Sequence, residues 1–200
     1  MKKIILASNS PRRKEILKIG KIDFTVVKSN YEEDVPKFYN EAIIKKNSLN
    51  KALDVSNSID YAATIIGADT MVILVEGKNS VCLIKPQNYD EAFFMLKNLS
   101  HKTHKVVTSI SLLDSVSGKN MTEIEETFVT FRTLYDDEIK KYIDNFKPFD
   151  KAGSYGIQDF VSIENIKNPP KESFIQKIEG DYYNVMGISL DKLNSMLKRF

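Results

Sequence analysis

Residues 4–20, "IILASNSPRRKEILKIG", restrict the fold more than any other stretch of this chain. Ile4, Ile5, Leu6 and Ala7 form a short apolar run that reads as a buried strand. Ser10 then suits a helix N-cap, Pro11 the first helical position, and Gly20 the C-terminal stop after Ile16 and Leu17. A further strand at 24–28 makes this a β-α-β start, the opening of an α/β fold. The handover from strand to helix gathers Ser8, Ser10, Arg12 and Arg13 at a helix N-terminus, where free N–H groups and partial positive charge suit a phosphate. Two arginines on a positive helix end cost ~0.3–1 kcal/mol each, which makes sense where an anion is expected. The plainer reading of the same residues is a capped surface helix with two solvated arginines.

The rest of the chain alternates similarly. A polar loop, "SNYEEDVPKFYN", carries Glu32, Glu33 and Asp34. A helix at 41–55 follows, with Ile43, Ile44, Leu49, Ala52 and Leu53 on its apolar side and Lys51 within it. "ATIIGADTMVILV" is an apolar run broken only at 67–70. In "KPQNYDEAFFMLKNL", Asn88 and Glu91 have capping-box spacing. "KVVTSISLLD" and "EETFVTFRTL" read as neighbouring strands turning at Gly118, and "DDEIKKYIDNF" as a short helix. A stretch rich in glycine and aromatics leads to an amphipathic helix at 190–197. No repeat or linker divides the chain, so residues 1–200 are expected to form one domain with two closely joined lobes. "DFVSIENIKNPPKESF", 159–174, holds Pro169-Pro170 and reads as a surface loop.

Composition narrows the partners. With 29 Lys and Arg against 27 Asp and Glu, the net charge of +2 gives no case for a nucleic-acid or membrane partner. Cys82 is the single cysteine, which excludes an intrachain disulfide and points to a reducing compartment. The first apolar run is too short for a signal peptide and no later run reaches the length of a membrane span. A cytoplasmic protein is expected.

Asp69 is the acid with most to explain, because apolar runs flank it on both sides. A buried carboxylate needs a metal, a basic partner or a hydrogen-bond donor, or it bonds the backbone of its own turn. Lys85-Pro86 follows the second apolar run, and Lys151 opens "KAGSYGIQ", whose glycines allow close backbone approach to a ligand and whose Gln158 offers donor and acceptor. "HKTH" sets His101 and His104 at a metal-like spacing, but in a polar loop without a third ligand nearby.

Taken together, "SNSPRR", Glu33, Lys51, "GADT", Lys85-Pro86, "DKAGSYGIQ" and "GDYY" resemble the Maf family of nucleoside triphosphate pyrophosphatases, once described as septum-formation inhibitors. The blocks keep the family's order from Lys3 to about Leu193. The resemblance implies an elongated mixed β-sheet flanked by helices, similar to inosine triphosphatases, with the site in a central cleft. It implies Asp69 as proton acceptor, with Glu33, Lys51 and Lys85 as catalytic partners, and Ser8, Ser10 and Arg13 on the phosphates. Glu33 and Asp69 would hold a divalent cation, Mg²⁺ or Mn²⁺. Arg12, Thr70 and Gln158 match positions that mark the dTTP- and UTP-hydrolysing branch, and a homodimer is implied. Three features depart from the pattern: a longer turn in "LVEGKNSVCLIKP", the 159–174 insert, and Ile188-Ser189 where Leu-Pro is usual. Two other readings share much of this pattern. A regulator of division would bind nucleotide without turnover, and an inosine-triphosphate-type enzyme would select purines.

Overall fold

In a computed structural model, which describes residues 2–77 and 79–200, the order is β1 (Lys3–Leu6), α1 (Pro11–Ile19), β2 (Thr25–Val26), α2 (Glu41–Ser56), β3 (Ala63–Glu76) and β4 (Asn79–Leu83). There follow α3 (Tyr89–Leu99), β5 (Thr103–Asp114), β6 (Asn120–Phe131), α4 (Asp136–Phe146), three short 3₁₀ turns between Pro148 and Asp159 and a fourth at Ile163–Asn165. β7 (Ile175–Glu179), α5 (Tyr182–Met186) and α6 (Leu190–Arg199) close the chain. The strands form one mixed sheet ordered β2-β1-β3-β5-β6-β7, with β4 also on β3.

β3 organises this sheet. The expected break at 67–70 is absent: Ala63–Glu76 is one strand of 14 residues. β5 pairs along one edge from Thr64 to Ile73. On the other edge, parallel β1 covers Ala63–Ile66 and antiparallel β4 covers Val72–Glu76. Residues 67–71 thus fall in a gap between two edge neighbours. β1 runs toward this gap and continues into Ser8–Arg13, while β4 also runs toward it and continues to Lys85. The feature read as a longer turn is therefore a β3–β4 hairpin. The loop after β2 seals its outer side, Tyr39 N–H donating to Ser80 O at 2.8 Å and Cys82 N–H to Lys37 O at 3.0 Å.

Alternation along β3 divides the core. Ile66, Ala68, Val72 and Leu74 face the large cluster shared with α1, α3, α4, α5 and α6. Ala63, Ile65, Met71 and Ile73 face the side on which α2 packs. The burial of α2 departs from its apolar reading. Leu53 is exposed, and the inward stripe runs Ile44, Asn47, Ser48, Lys51, Ala52 and Val55 at helical spacing. Polar residues face inward because the strand beneath them carries Asp69.

Several local expectations change in their bonding. Asn88 caps α3 by accepting from Glu91 N–H, but Glu91 Oε2 accepts from Gln87 N–H instead of closing the box on Asn88. Ser189 in the departing Ile188-Ser189 pair caps α6, accepting from Lys192 N–H, and donates its hydroxyl to Asp181. His104 is no metal ligand: it is buried in contact with Phe131 and Tyr155, its Nε2 2.7 Å from the Tyr155 hydroxyl. Burial pulls its pKa down to about 3. His101 is exposed, at the positive φ of 57° that turns the chain into β5.

The insert is only in part a surface loop. Phe160 stacks on Tyr142 and on Phe174, Val161 and Phe174 are buried, and Tyr182 Oη donates to Val161 O at 2.8 Å. The exposed portion lies between these anchors. Replacing residues 167–172 with Gly and Ser of equal length should leave thermal stability near the parent's. Phe174→Ala should lower it by about 3–5 kcal/mol through the cavity it leaves. Denaturation curves of both variants check this, and equal losses would contradict the division.

Candidate active site

α2 approaches β3 at one glycine. A Cβ on Gly67 would lie 2.0 Å from Ser48 O and 3.1 Å from Ala52 N. Two residues along β3, on the same face, stands Asp69, only 5 % exposed. Its Oδ1 accepts from Lys51 Nζ at 3.1 Å and its Oδ2 from Asn47 Nδ2 at 2.9 Å. Of the remedies open to a buried carboxylate, the structure supplies a basic partner and an amide donor. Lys51 also donates to Ala68 O at 3.1 Å and pairs with Glu33 at 2.5 Å, so one ammonium bridges both acids. Burial pushes the Glu33 carboxyl up, and Lys51, with smaller help from Lys85 and Arg13, outweighs it and leaves Glu33 below its ordinary value.

Sequence reasoning missed Asn47. Besides Asp69 it clamps the acidic loop, donating to Asp34 O at 2.9 Å while its Oδ1 accepts from Asp34 N–H at 3.0 Å. Glu33 sits beside that anchor. Asn47 and Lys51 lie four apart on the inward face of α2, a pair of buried polar residues one helical turn apart that would have flagged the site.

The opposite wall is built from the start of α1. Ser8 is buried and its Oγ accepts from Ser10 N–H at 3.2 Å, tightening the turn. Ser10 caps α1 through a long 3.5 Å contact to Arg13 N–H. Arg13 donates from Nε to Gly187 O at 3.1 Å, from Nη1 to Ser8 Oγ at 3.4 Å and from Nη2 to Thr70 Oγ1 at 3.1 Å. Burial lowers the pKa of Arg13, against Asp69 and Glu33, which raise it. A guanidinium starts so high that Arg13 stays charged. Arg12 also borders the cleft and pairs with Asp150 at 2.7 Å.

Thr70 follows Asp69 on a strand and so points to the other face. Its hydroxyl meets Thr108 Oγ1 at 2.9 Å as well as Arg13, which makes it an anchor for the arginine. Gln158 differs. A Cβ on Gly156 would lie 2.6 Å from Gln158 Nε2, so the amide lies against bare backbone, and its buried Oε1 has no hydrogen-bond partner among the described residues.

A cavity of about 410 Å³ joins these groups: Ser8, Ser10, Arg12, Arg13, Glu33, Lys51, Asp69, Thr70, Lys85 and Gln158 all line it. Every site residue implied by the family resemblance therefore borders one space, lined by six cations and three carboxylates, Glu33, Asp69 and Asp150. Among the described residues, no group of three or more His, Cys, Asp or Glu could by itself hold a metal ion. Nor is any described helix long and apolar enough to cross a membrane.

The fold has a known counterpart. The structure of the Staphylococcus aureus Ham1 protein superposes with a TM-score of 0.50 over 98% of each chain at 14% identity, a likeness of fold. The chain itself belongs to the Maf family: the model of that family, described as Maf-like protein, matches residues 3–200. A dTTP/UTP pyrophosphatase of Thermoanaerobacter sp. (strain X514) is 41% identical over 197 residues, 98% of this chain and 96% of that protein. One from Bacillus cereus is 42% identical over 202 residues, 100% and 96% of the two chains.

The Gly67 contact yields a test. Gly67→Ala forces α2 off β3 and carries Lys51 away from Asp69, an overpacking that should cost about 1–3 kcal/mol or more. Activity should fall with stability. A variant melting like the parent, with parental turnover, would show that α2 can yield there without consequence.

Proposed function

We propose that this chain hydrolyses nucleoside triphosphates between the α and β phosphates, giving the monophosphate and pyrophosphate, with dTTP and UTP preferred. One observation carries the reading: a buried, doubly bonded carboxylate, Asp69, shares a cavity with the positive N-terminal turn of α1. The names of the relatives, dTTP/UTP pyrophosphatases over almost the whole chain, support the substrate class. The lone cysteine supports a cytoplasmic setting.

Each residue has a physical task. Ser8 and the positive N-terminal turn of α1, with Arg13, form a cradle for the β and γ phosphates. Arg13 suits it because its protein partners are all neutral, so its charge remains available to an anion. Lys85 adds charge from another side, and Lys51 holds Asp69 and Glu33 together. Asp69 accepts the proton of the attacking water, held in place by Asn47 and Lys51.

Glu33 and Asp69 fit a divalent cation. They are hard oxygen donors, and with Lys51 between them the trio keeps a net negative charge. Two carboxylates completed by phosphate oxygens are the donor set Mg²⁺ prefers, and Mn²⁺ shares it. Such an ion supplies charge neutralisation on the phosphates.

Selectivity rests on Gln158. Gln158 borders the cavity, and its amide can accept the ring N–H of uracil or thymine and donate to a ring carbonyl. Cytosine has no N–H at that ring position, so the amide acceptor would stay unmet, a mismatch that such sites reject strongly. Arg12, paired with Asp150, lies on the cavity wall, and Thr70 holds Arg13.

Product analysis with Mg²⁺ should find pyrophosphate and monophosphate, and orthophosphate with diphosphate as main products would overturn the bond assignment. Asp69→Asn should slow turnover by ~10²–10⁴ in a folded protein. In a panel of triphosphates UTP and dTTP should exceed ATP, GTP and CTP. Gln158→Ala should erode that preference more than it slows UTP hydrolysis, and a purine outrunning UTP in the parent would refute the base assignment.

A further inference from the structure

Behind the Gln158 turn, away from the cleft, stands Tyr142 of α4, 4 % exposed. Its ring is held between Phe146, at 4.9 Å and 26°, and Phe160, at 4.8 Å and 27°. A buried tyrosine hydroxyl needs partners, and both of its partners belong to one short turn. Tyr142 Oη accepts from Gly156 N–H at 3.2 Å and donates to Asp159 Oδ2 at 2.6 Å. These are the residues two before and one after Gln158. Asp159 N–H donates to Gly156 O at 3.1 Å, closing the turn. Gly156 leaves no space between them: a Cβ there would stand 2.6 Å from Gln158 Nε2 and 2.9 Å from Asp159 Oδ2.

From this geometry we infer that Tyr142 and Asp159 are positioning residues for base selection, fixing the Gln158 amide from behind. The inference rests on the role given to Gln158 above. A single hydroxyl pins the turn on both sides of the selecting side chain, and recognition by a paired donor and acceptor demands placement to within about 0.5 Å. Phe160, the first large residue of the insert, completes the stack that aims the hydroxyl, so the insert is tied to selectivity through its anchored end.

The test compares kcat/KM for UTP with that for CTP in the parent, Tyr142→Phe, Asp159→Ala and Asp159→Asn. Tyr142→Phe and Asp159→Ala should each reduce discrimination roughly fivefold, the loss of one buried hydrogen bond, mainly through a higher KM for UTP. Asp159→Asn keeps an acceptor for the hydroxyl and should restore most of the discrimination. Adding Gln158→Ala to Tyr142→Phe should lower discrimination little further than Gln158→Ala alone, since both act through one amide. A stability role alone would lower all triphosphates together at temperatures well below unfolding, and that result overturns the proposal. So does parental discrimination in either disrupting variant; if Tyr142→Phe does not fold, Asp159→Ala decides. A parent that fails to prefer UTP would instead sink the base assignment of Gln158, an outcome read before any variant is made.

Discussion

The contact of α2 with β3 at Gly67 is the constraint on which the site depends. No side chain fits there, since a Cβ would stand 2.0 Å from Ser48 O. The close approach brings a helix turn carrying Asn47 and Lys51 onto the strand carrying Asp69. Burying this charge is costly unless every charged atom is met. Here both carboxylate oxygens of Asp69 have donors, and Lys51 has three acceptors: Asp69, Glu33 and Ala68 O. The neighbouring hydroxyls are satisfied too. Ser48 Oγ lies 2.8 Å from both Ser109 Oγ and Ser111 Oγ. The polar face of α2 is therefore a bonded layer against a strand that would otherwise read as apolar.

The cleft itself follows from the edge of β3. A parallel neighbour ends at Ile66 and an antiparallel neighbour begins at Val72, and both lead their chains toward the uncovered stretch between. That places the α1 turn on one side of Asp69 and Lys85 on the other. The sheet supplies a fixed backbone for Asp69, while the cations come from loops and helix ends whose direction the sheet dictates. Sites at such interruptions of sheet edges are common in α/β folds, because strand ends there present groups that no ladder has claimed.

Much of this was legible in order but not in contact. The β-α-β start, the Ser10 and Pro11 helix entry and the Gly118 turn came from local chemistry and appear as expected. Local chemistry singles out Ser8, Ser10, Arg12, Arg13, Asp69, Lys85 and Gln158, and resemblance to a family joins them with Glu33, Lys51 and Thr70, but neither carries distances. What local patterns could not supply was partnership across the chain. Glycine-67 looked like a break in an apolar run because a glycine in a strand usually weakens it; here it admits a helix. Apolar periodicity points Leu53 inward, but the strand beneath carries an acid, so polar residues take the inward face and Leu53 is exposed. The insert looked like loop throughout, since Pro169 and Pro170 break regular structure, yet Phe160 and Phe174 join an aromatic stack whose other members lie far away in sequence. Asn47 pairs with Lys51 one helical turn away on the face of α2 that meets Asp69, a spacing that becomes a signal only once that face is known to be buried.

The two arginines that open α1 show why adjacent like charges are tolerable there. Arg12 is answered by Asp150, whose carboxyl burial pushes up and Arg12 and Lys151 bring below its ordinary value. Half-exposed Asp150 holds Arg12 in an ion pair of modest strength. Arg13 has no such partner within hydrogen-bond reach and is met by Gly187 O, Ser8 and Thr70, all neutral. Neutral acceptors fix direction without cancelling charge, so the field of Arg13 extends into the cavity together with that of the helix end. On the far side, Lys51 is cancelled by two carboxylates that retain one negative charge between them. The cavity thus brings Arg13 at the α1 turn and Lys85 into one space with the carboxylates of Asp69 and Glu33. A molecule with anionic groups to place beside the cations and an ion to share with the carboxylates meets both at once, whereas a simple anion would satisfy only the cations.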